Sequence, residues 1–88
     1  MPTISLFYGI AIRMYYNDHA PPHFHAIYGG DEAIVEIGSG VIIGGGVPLR
    51  AEKLVAEWTE LNRDRLMANW TSAREGNQME RIPGLDAQ

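Results

Sequence analysis

The stretch NDHAPPHFHAIY at residues 17–28 decides how the first half of the chain folds. Asn17 and Asp18 favour a turn, and the paired prolines at residues 21–22 cannot donate to a β-ladder, so the stretch begins by ending a strand. A new strand then runs over residues 23–28. Because side chains alternate across a strand, His23, His25 and Ile27 are expected on one face and Phe24, Ala26 and Tyr28 on the other.

Further strands are predicted on both sides of this stretch. Residues 10–16 alternate apolar and other side chains, which indicates a half-buried strand. A turn at residues 29–31 leads to a strand at 32–37, and glycines within residues 38–40 lead to a short strand at 41–43. Such short connections favour neighbouring antiparallel strands, so we predict an antiparallel β-meander of three to four strands.

The second half of the chain is predicted to be helical. Pro48 suits a first helical turn, and Gly76 suits a helix end. Apolar residues recur at helical spacing in two stripes that are out of phase with each other: Ala51, Leu54, Val55, Trp58, Leu61 and then Leu66, Met67, Trp70, Ala73. We therefore expect two C-terminal helices, or one kinked helix, with a break near Asn62 and with one face of the sheet covered. The fold class is α+β.

Length and composition limit the class of protein. The 88 residues suffice for one domain over residues 1–88, with a strand-rich half (3–47), a helical half (48–75) and a tail (76–88). The absence of cysteine excludes disulfides, thiolate metal sites and cysteine nucleophiles. A net charge of −4 is opposite to that of a strongly basic nucleic-acid binder. Without a long apolar run or a signal segment, we expect a cytoplasmic protein that does not bind membranes.

The three histidines are the chemically unusual feature, since all lie within residues 19–25. His23 and His25 are expected to project from the same strand face, where two imidazoles can flank a phosphate. One would accept a proton from a ribose 2′-hydroxyl while the other protonates the leaving oxygen. This chemistry is that of a ribonuclease without metal or cofactor. His19 is a further candidate catalytic residue, and the candidate binding residues are Arg13, Asp18 and Tyr28.

Two other interpretations of the histidines stay open. His-x-His with one carboxylate would make a three-ligand metal site, with Asp18, His19 or Glu36 as the third ligand. We place this metal-dependent hydrolase after the metal-free interpretation, because the pattern fixes no third ligand. Alternatively, the histidines are ordinary half-exposed polar residues, or contact residues on a recognition surface.

The sequence resembles a family of small bacterial proteins of unknown function. The resemblance lies in MPTIS at residues 1–5, FYGI at 7–10, IRMY at 12–15, NDH at 17–19, PPHFH at 21–25, YG at 28–29, EW at 57–58 and NW at 69–70. It covers nearly the whole chain. The chain departs from the family pattern at residues 44–46, which are three glycines where charged residues are expected.

Members of that family are often encoded beside a second small protein, in an arrangement that resembles a toxin–antitoxin module. The resemblance therefore implies a small bacterial cytoplasmic protein that works with a neighbour-encoded partner. It makes Asp18, His19, His23 and His25 the candidate site, with Arg13 beside them.

Two functional hypotheses follow. The first is a toxin-like component of such a module, acting as a ribonuclease on RNA through His23 and His25. The second is a non-catalytic binding or regulatory module, either an antitoxin or the partner of a transcriptional regulator, in which the histidine segment is a docking surface. An uncovered edge strand would in addition favour a homodimer.

Overall fold

The computed structural model describes residues 2–87 and contains one antiparallel sheet and one long helix. The sheet has five strands in the order of the chain. They are β1 (Thr3–Phe7), β2 (Ile10–Arg13), β3 (His23–Tyr28), β4 (Asp31–Glu36) and β5 (Ile42–Gly45), followed by the helix α1 (Leu49–Arg74). The α+β class and the meander are thus confirmed, whereas the predicted number of three to four strands was too small.

The additional strand is β1, which pairs with β2. Tyr8 and Gly9 form the two-residue connection, with φ of 50° and 79°. Positive φ at both central residues is the geometry that matches the twist of a hairpin. The strand predicted at residues 10–16 is correspondingly shorter, since β2 ends at Arg13.

The last strand ends later than the predicted residue 43, because β5 extends through Gly44 and Gly45. Gly45 has a φ of 63°, and a Cβ atom there would collide with the backbone oxygen of Glu32. That oxygen accepts a hydrogen bond from the backbone N–H of Gly46 at 3.0 Å. Glycine therefore allows β5 to pass close to β4 at the open end of the last hairpin.

The helix α1 is kinked where the two apolar stripes change phase. Asn62 has non-helical backbone angles, φ −124° and ψ 19°, and its side-chain amide donates to the backbone oxygen of Trp58 at 2.9 Å. This confirms one kinked helix rather than two separate helices. The first half packs on the face of the sheet that carries Phe24, whose ring lies 5.7 Å from that of Trp58.

The tail packs against the domain. The Asn69 side chain donates to the Glu80 oxygen at 2.8 Å and accepts from the Glu80 N–H at 2.9 Å. The Ile82 N–H donates to Ile4 at the β1 edge at 2.8 Å. The Trp58 indole N–H donates to the Pro83 oxygen at 2.9 Å, so the tail contacts both halves of α1. Within residues 2–87, no helix has the length and apolarity needed to cross a bilayer.

Candidate metal centre

Asp18, His23 and His25 come together where the loop after β2 enters β3. One ligand-type atom from each of the three side chains lies within 4.8 Å of the others. The two imidazoles leave the same side of β3, with ring centroids 5.4 Å apart. The period-two spacing therefore places both rings together, and the loop brings Asp18 across to them.

Each imidazole is held at its Nδ1 atom by an acceptor. His23 Nδ1 lies 2.7 Å from the backbone oxygen of Pro21, and His25 Nδ1 lies 2.7 Å from Glu32 Oε2. Because a carbonyl and an ionised carboxylate only accept, both Nδ1 atoms are donors. The Nε2 atoms of both rings face the same space, where a hydrogen bond joins His23 Nε2 to Asp18 Oδ2; a bound metal ion would replace the proton of that hydrogen bond.

That space is occupied by one oxygen of Asp18. Oδ2 lies 2.9 Å from His23 Nε2 and 3.7 Å from His25 Nε2. The other oxygen, Oδ1, accepts the backbone N–H of His19 at 2.8 Å, which fixes the orientation of the carboxylate. All three side chains are thus held by a second contact while their remaining donor atoms converge.

Burial and charge act in opposite directions on Asp18. Partial burial raises its pKa, but the His19 N–H and the imidazoles of His23 and His25 outweigh this effect and hold the pKa below its ordinary value. Asp18 is therefore a carboxylate at neutral pH. It is the most exposed of the three, with 23% side-chain exposure against 11% for His23 and 14% for His25.

Aromatic side chains bracket the two imidazoles. The Trp70 ring lies 5.2 Å from that of His23, and Tyr15 meets His25 edge-on at 4.6 Å. The two rings thus cover part of the imidazole surface, and both histidine side chains are largely buried. Electrostatic interactions are stronger in such surroundings than in open solvent.

Two of the three separations between the ligand atoms approach those of a divalent transition-metal site. With metal–ligand distances of about 2.1 Å, ligand atoms of a tetrahedral or octahedral site lie roughly 3.0–3.4 Å apart. The 2.9 and 3.7 Å separations from Asp18 Oδ2 are close to this range. His25 Nε2 is moreover buried without a hydrogen-bond partner among residues 2–87. A buried nitrogen of this kind requires a partner, and a metal ion would be one.

His19 and Tyr28 do not join this cluster. His19 is exposed and contributes only its backbone N–H. Tyr28 lies at the opposite end of β3 from His23, about 17 Å away at strand rise, and on the other strand face. It lines a cleft with Tyr8 and Arg50 instead. Tyr28, predicted as a candidate binding residue on the other strand face, thus lies apart from the histidine cluster.

Arg13 is adjacent to the cluster, as expected. It is the residue of β2 directly opposite His25 of β3. Opposed residues of antiparallel strands point to the same face with Cβ atoms about 4.5–5.5 Å apart. Its Nε atom is buried and, within the described residues, has no hydrogen-bond partner.

Sequence reasoning missed the role of Glu32 and considered Glu36 instead. Glu32 holds His25, whereas the Glu36 carboxylate accepts a hydrogen bond from the Ser39 hydroxyl. Both residues belong to β4, and Glu36 is the one directly opposite His23. Glu32 is the diagonal neighbour of His25, and a long side chain can span this diagonal.

Residues 9–71 match the family described as Domain of unknown function (DUF4160). This match spans most of the chain and includes β2, β3, β4, β5 and all of the cluster, so the chain belongs to that family. The chain has no match among the curated proteins or among the solved structures. The family identifies the fold unit that carries Asp18, His23 and His25, and its description assigns no activity.

Proposed function

We propose that this member of the DUF4160 family is a metal-dependent hydrolase with Asp18, His23 and His25 as the metal ligands. Two imidazole nitrogens and one carboxylate oxygen are a donor set suited to Zn²⁺ and to other divalent first-row metals. Three protein ligands leave coordination positions for water and substrate. When bound, such an ion lowers the pKa of a coordinated water to about 7, which supplies hydroxide at neutral pH.

One observation carries this proposal. Both Nδ1 atoms face acceptors, at Pro21 and Glu32, so Nε2 is the nitrogen of each ring that is left to bind a metal, and both Nε2 atoms face Asp18 Oδ2. An acceptor that orients a histidine through its second nitrogen is the usual support of a metal ligand. Protonation of Nε2 would make the same contact an ion pair between His23 and Asp18, and metal binding would displace that proton.

The metal-free ribonuclease mechanism requires the substrate phosphate, instead of the Asp18 carboxylate, to lie between the two imidazoles. In that mechanism the phosphate lies between His23 and His25, whereas here the Asp18 carboxylate lies within 2.9 and 3.7 Å of their Nε2 atoms. Two anionic groups at this distance repel each other. The geometry therefore favours the metal-dependent reaction, and catalysis that survives complete removal of metal would favour the metal-free one.

The test is a metal titration of protein purified without a polyhistidine tag and treated with a chelator. We expect one Zn²⁺ per chain by calorimetry, and a Co²⁺ absorption spectrum typical of mixed nitrogen and oxygen ligands. His25→Gln keeps a side chain of similar size but removes the Nε2 ligand, so we expect affinity to fall at least about 100-fold.

His19→Gln is the matched control, because it removes a histidine of the same loop whose ring lies outside the cluster. It is expected to bind Zn²⁺ like the unaltered chain. Equal losses in the two variants would contradict the site, as would Zn²⁺ binding that His25→Gln leaves intact.

The biological setting stays a prediction: a toxin-like component of a bacterial two-protein module, with RNA as a substrate and a neighbour-encoded protein as its partner. Expression with and without the genomic neighbour, followed by growth and RNA integrity, would test it. A catalytic toxin loses growth inhibition in the His25→Gln form and keeps it in the His19→Gln form. A non-catalytic binding module instead co-purifies with the neighbour and inhibits growth in neither form.

A further inference from the structure

Arg13 is the one arginine within residues 2–87 with a buried side-chain nitrogen that has no hydrogen-bond partner in that range. Arg63 donates to the Ile37 oxygen and to Glu60, and Arg81 donates to the Thr3 oxygen. The guanidinium of Arg13 has neither a hydrogen bond nor an ion pair within residues 2–87, although its Nε is buried. A buried donor without an acceptor is costly, so a ligand that accepts a hydrogen bond from Nε would be favoured.

The neighbouring carboxylates are already engaged. Asp18 is directed to His23 and His25, and Glu32 is bound to His25 Nδ1. If a divalent ion binds, its charge balances those two carboxylates, and the single positive charge of Arg13 remains. The site then attracts a ligand with one negative charge that can reach the metal and Arg13 together.

We propose that Arg13 binds the non-bridging oxygens of a phosphodiester and thereby places its phosphorus beside the metal centre. The inference rests on the proposed function and names its substrate class. A guanidinium presents two parallel N–H donors that match a pair of phosphate oxygens. A phosphodiester carries one negative charge and has an ester bond to cleave, which fits both the charge balance and a hydrolase.

The reaction needs no reactant besides water. The water oxygen forms a bond to phosphorus, and one phosphorus–oxygen ester bond breaks. The alcohol leaves with a proton that water has given up, and a phosphate monoester remains. Arg13 forms no bond in this step: it would hold the phosphoryl oxygens so that the phosphorus faces Asp18, His23 and His25, the residues that would hold the metal and, through it, the attacking water.

The experiment measures two quantities separately on the full chain. The first is Zn²⁺ affinity by calorimetry, and the second is hydrolysis of bis(p-nitrophenyl) phosphate by the Zn²⁺-loaded protein, with inhibition by inorganic phosphate and by acetate. For Arg13→Gln we expect unchanged Zn²⁺ affinity. We expect its KM for the phosphodiester and its inhibition constant for phosphate to be about 10- to 100-fold higher than those of the unaltered chain. Arg13→Lys keeps the charge without the paired donors and should lie between these values.

Arg50→Gln is the matched control, since this exposed arginine lies beside Tyr28 at the far end of the sheet. It should leave both quantities unchanged. Unaltered phosphate inhibition in Arg13→Gln would overturn the phosphodiester assignment while leaving the metal centre intact. Acetate that inhibits as well as phosphate would overturn it too, in favour of a carboxylate ligand. Failure of the unaltered chain to bind Zn²⁺ would instead overturn the proposed function itself.

Discussion

The two ends of the sheet are built from similar residue types but organised very differently. At the end where β3 begins, the polar groups of Asp18, His23 and His25 are largely buried and held by second contacts. At the other end, Tyr8 and Tyr28 are 54% and 38% exposed and line a shallow cleft. Both ends carry aromatic and charged side chains, but among residues 2–87 only the first end has three metal-ligand atoms that converge.

The difference shows which feature separates a candidate site from an ordinary surface. Residue type does not separate them, since His19 lies in the same loop as His23 and remains exposed. The distinguishing feature is that each side chain of the cluster uses one polar atom for orientation and directs the other to a common point. This pattern costs conformational freedom and leaves His25 Nε2 unsatisfied, so stability alone does not account for it.

The largest expected effect is a loss of Zn²⁺ affinity when Asp18 is replaced by Asn. The same replacement of Asp31, at the far end of the sheet, serves as the control. Asp18→Asn preserves shape but removes the anionic ligand, and we expect Zn²⁺ affinity to fall at least about 100-fold. Asp31→Asn makes the same change opposite Tyr28 at the far end and should leave the affinity unaltered. Calorimetric titration of both variants measures the difference. A similar loss in both would mean that general negative charge, rather than the cluster, attracts the metal.

A smaller effect is expected from the residue that orients His25. Glu32→Gln weakens the contact to His25 Nδ1, and loss of such support lowers metal affinity by about 10- to 100-fold. Glu36→Gln is the control on the same strand, because Glu36 contacts Ser39 instead of an imidazole. Zn²⁺ titration of the Glu32→Gln and Glu36→Gln variants measures the two affinities. If Glu36→Gln has the greater effect, our assignment of the supporting residue is wrong.

The sequence predicts the pairing of His23 and His25 because strand alternation is local and the rings need only to share a face. Asp18 was named as a candidate, but its position depends on the path of the loop between β2 and β3, and no periodicity fixes that path. The tail contacts with Ile4 and Asn69 are equally non-local. The kink at Asn62 could be predicted, since the phase change between the apolar stripes lies in the sequence itself.

The role of Glu32 was missed because the predicted turn between β3 and β4 was one residue too long. A turn at residues 29–31 would pair Tyr28 with Glu32 and place Glu32 on the face away from His25. The turn is shorter, so that Tyr28 pairs with Asp31 and Ile27 with Glu32. A one-residue change in register moves every side chain to the other face. The apolar pattern favours the observed register, since it pairs Phe24 with Val35.

The strand β1 was missed for a related reason. Ile4 and Ser5 are consecutive and both buried, at 2% and 1% exposure, because the pairing of β1 with β2 is irregular between Thr3 and Ser5. This irregularity interrupts the two-residue period by which strands are recognised. A strand of five residues with a broken period gives too little signal.

The smallest expected effect lies at the far end and concerns stability alone. Tyr8 has a left-handed backbone with φ of 50°, a conformation that asparagine tolerates better than tyrosine. Tyr8→Asn should therefore stabilise the hairpin by about 0.5 kcal/mol, which raises the Tm by about 2–4 °C in a domain of this size. Thermal unfolding measures this gain, and Zn²⁺ affinity should stay the same.

Asn17 has the same backbone conformation beside Asp18, with φ of 59°. Substituting Asn17 by Ala should lower both stability and Zn²⁺ affinity, because there the strained turn sets the position of a ligand. Equal Zn²⁺ affinity in the two variants would show that the loop holds Asp18 without help from that turn.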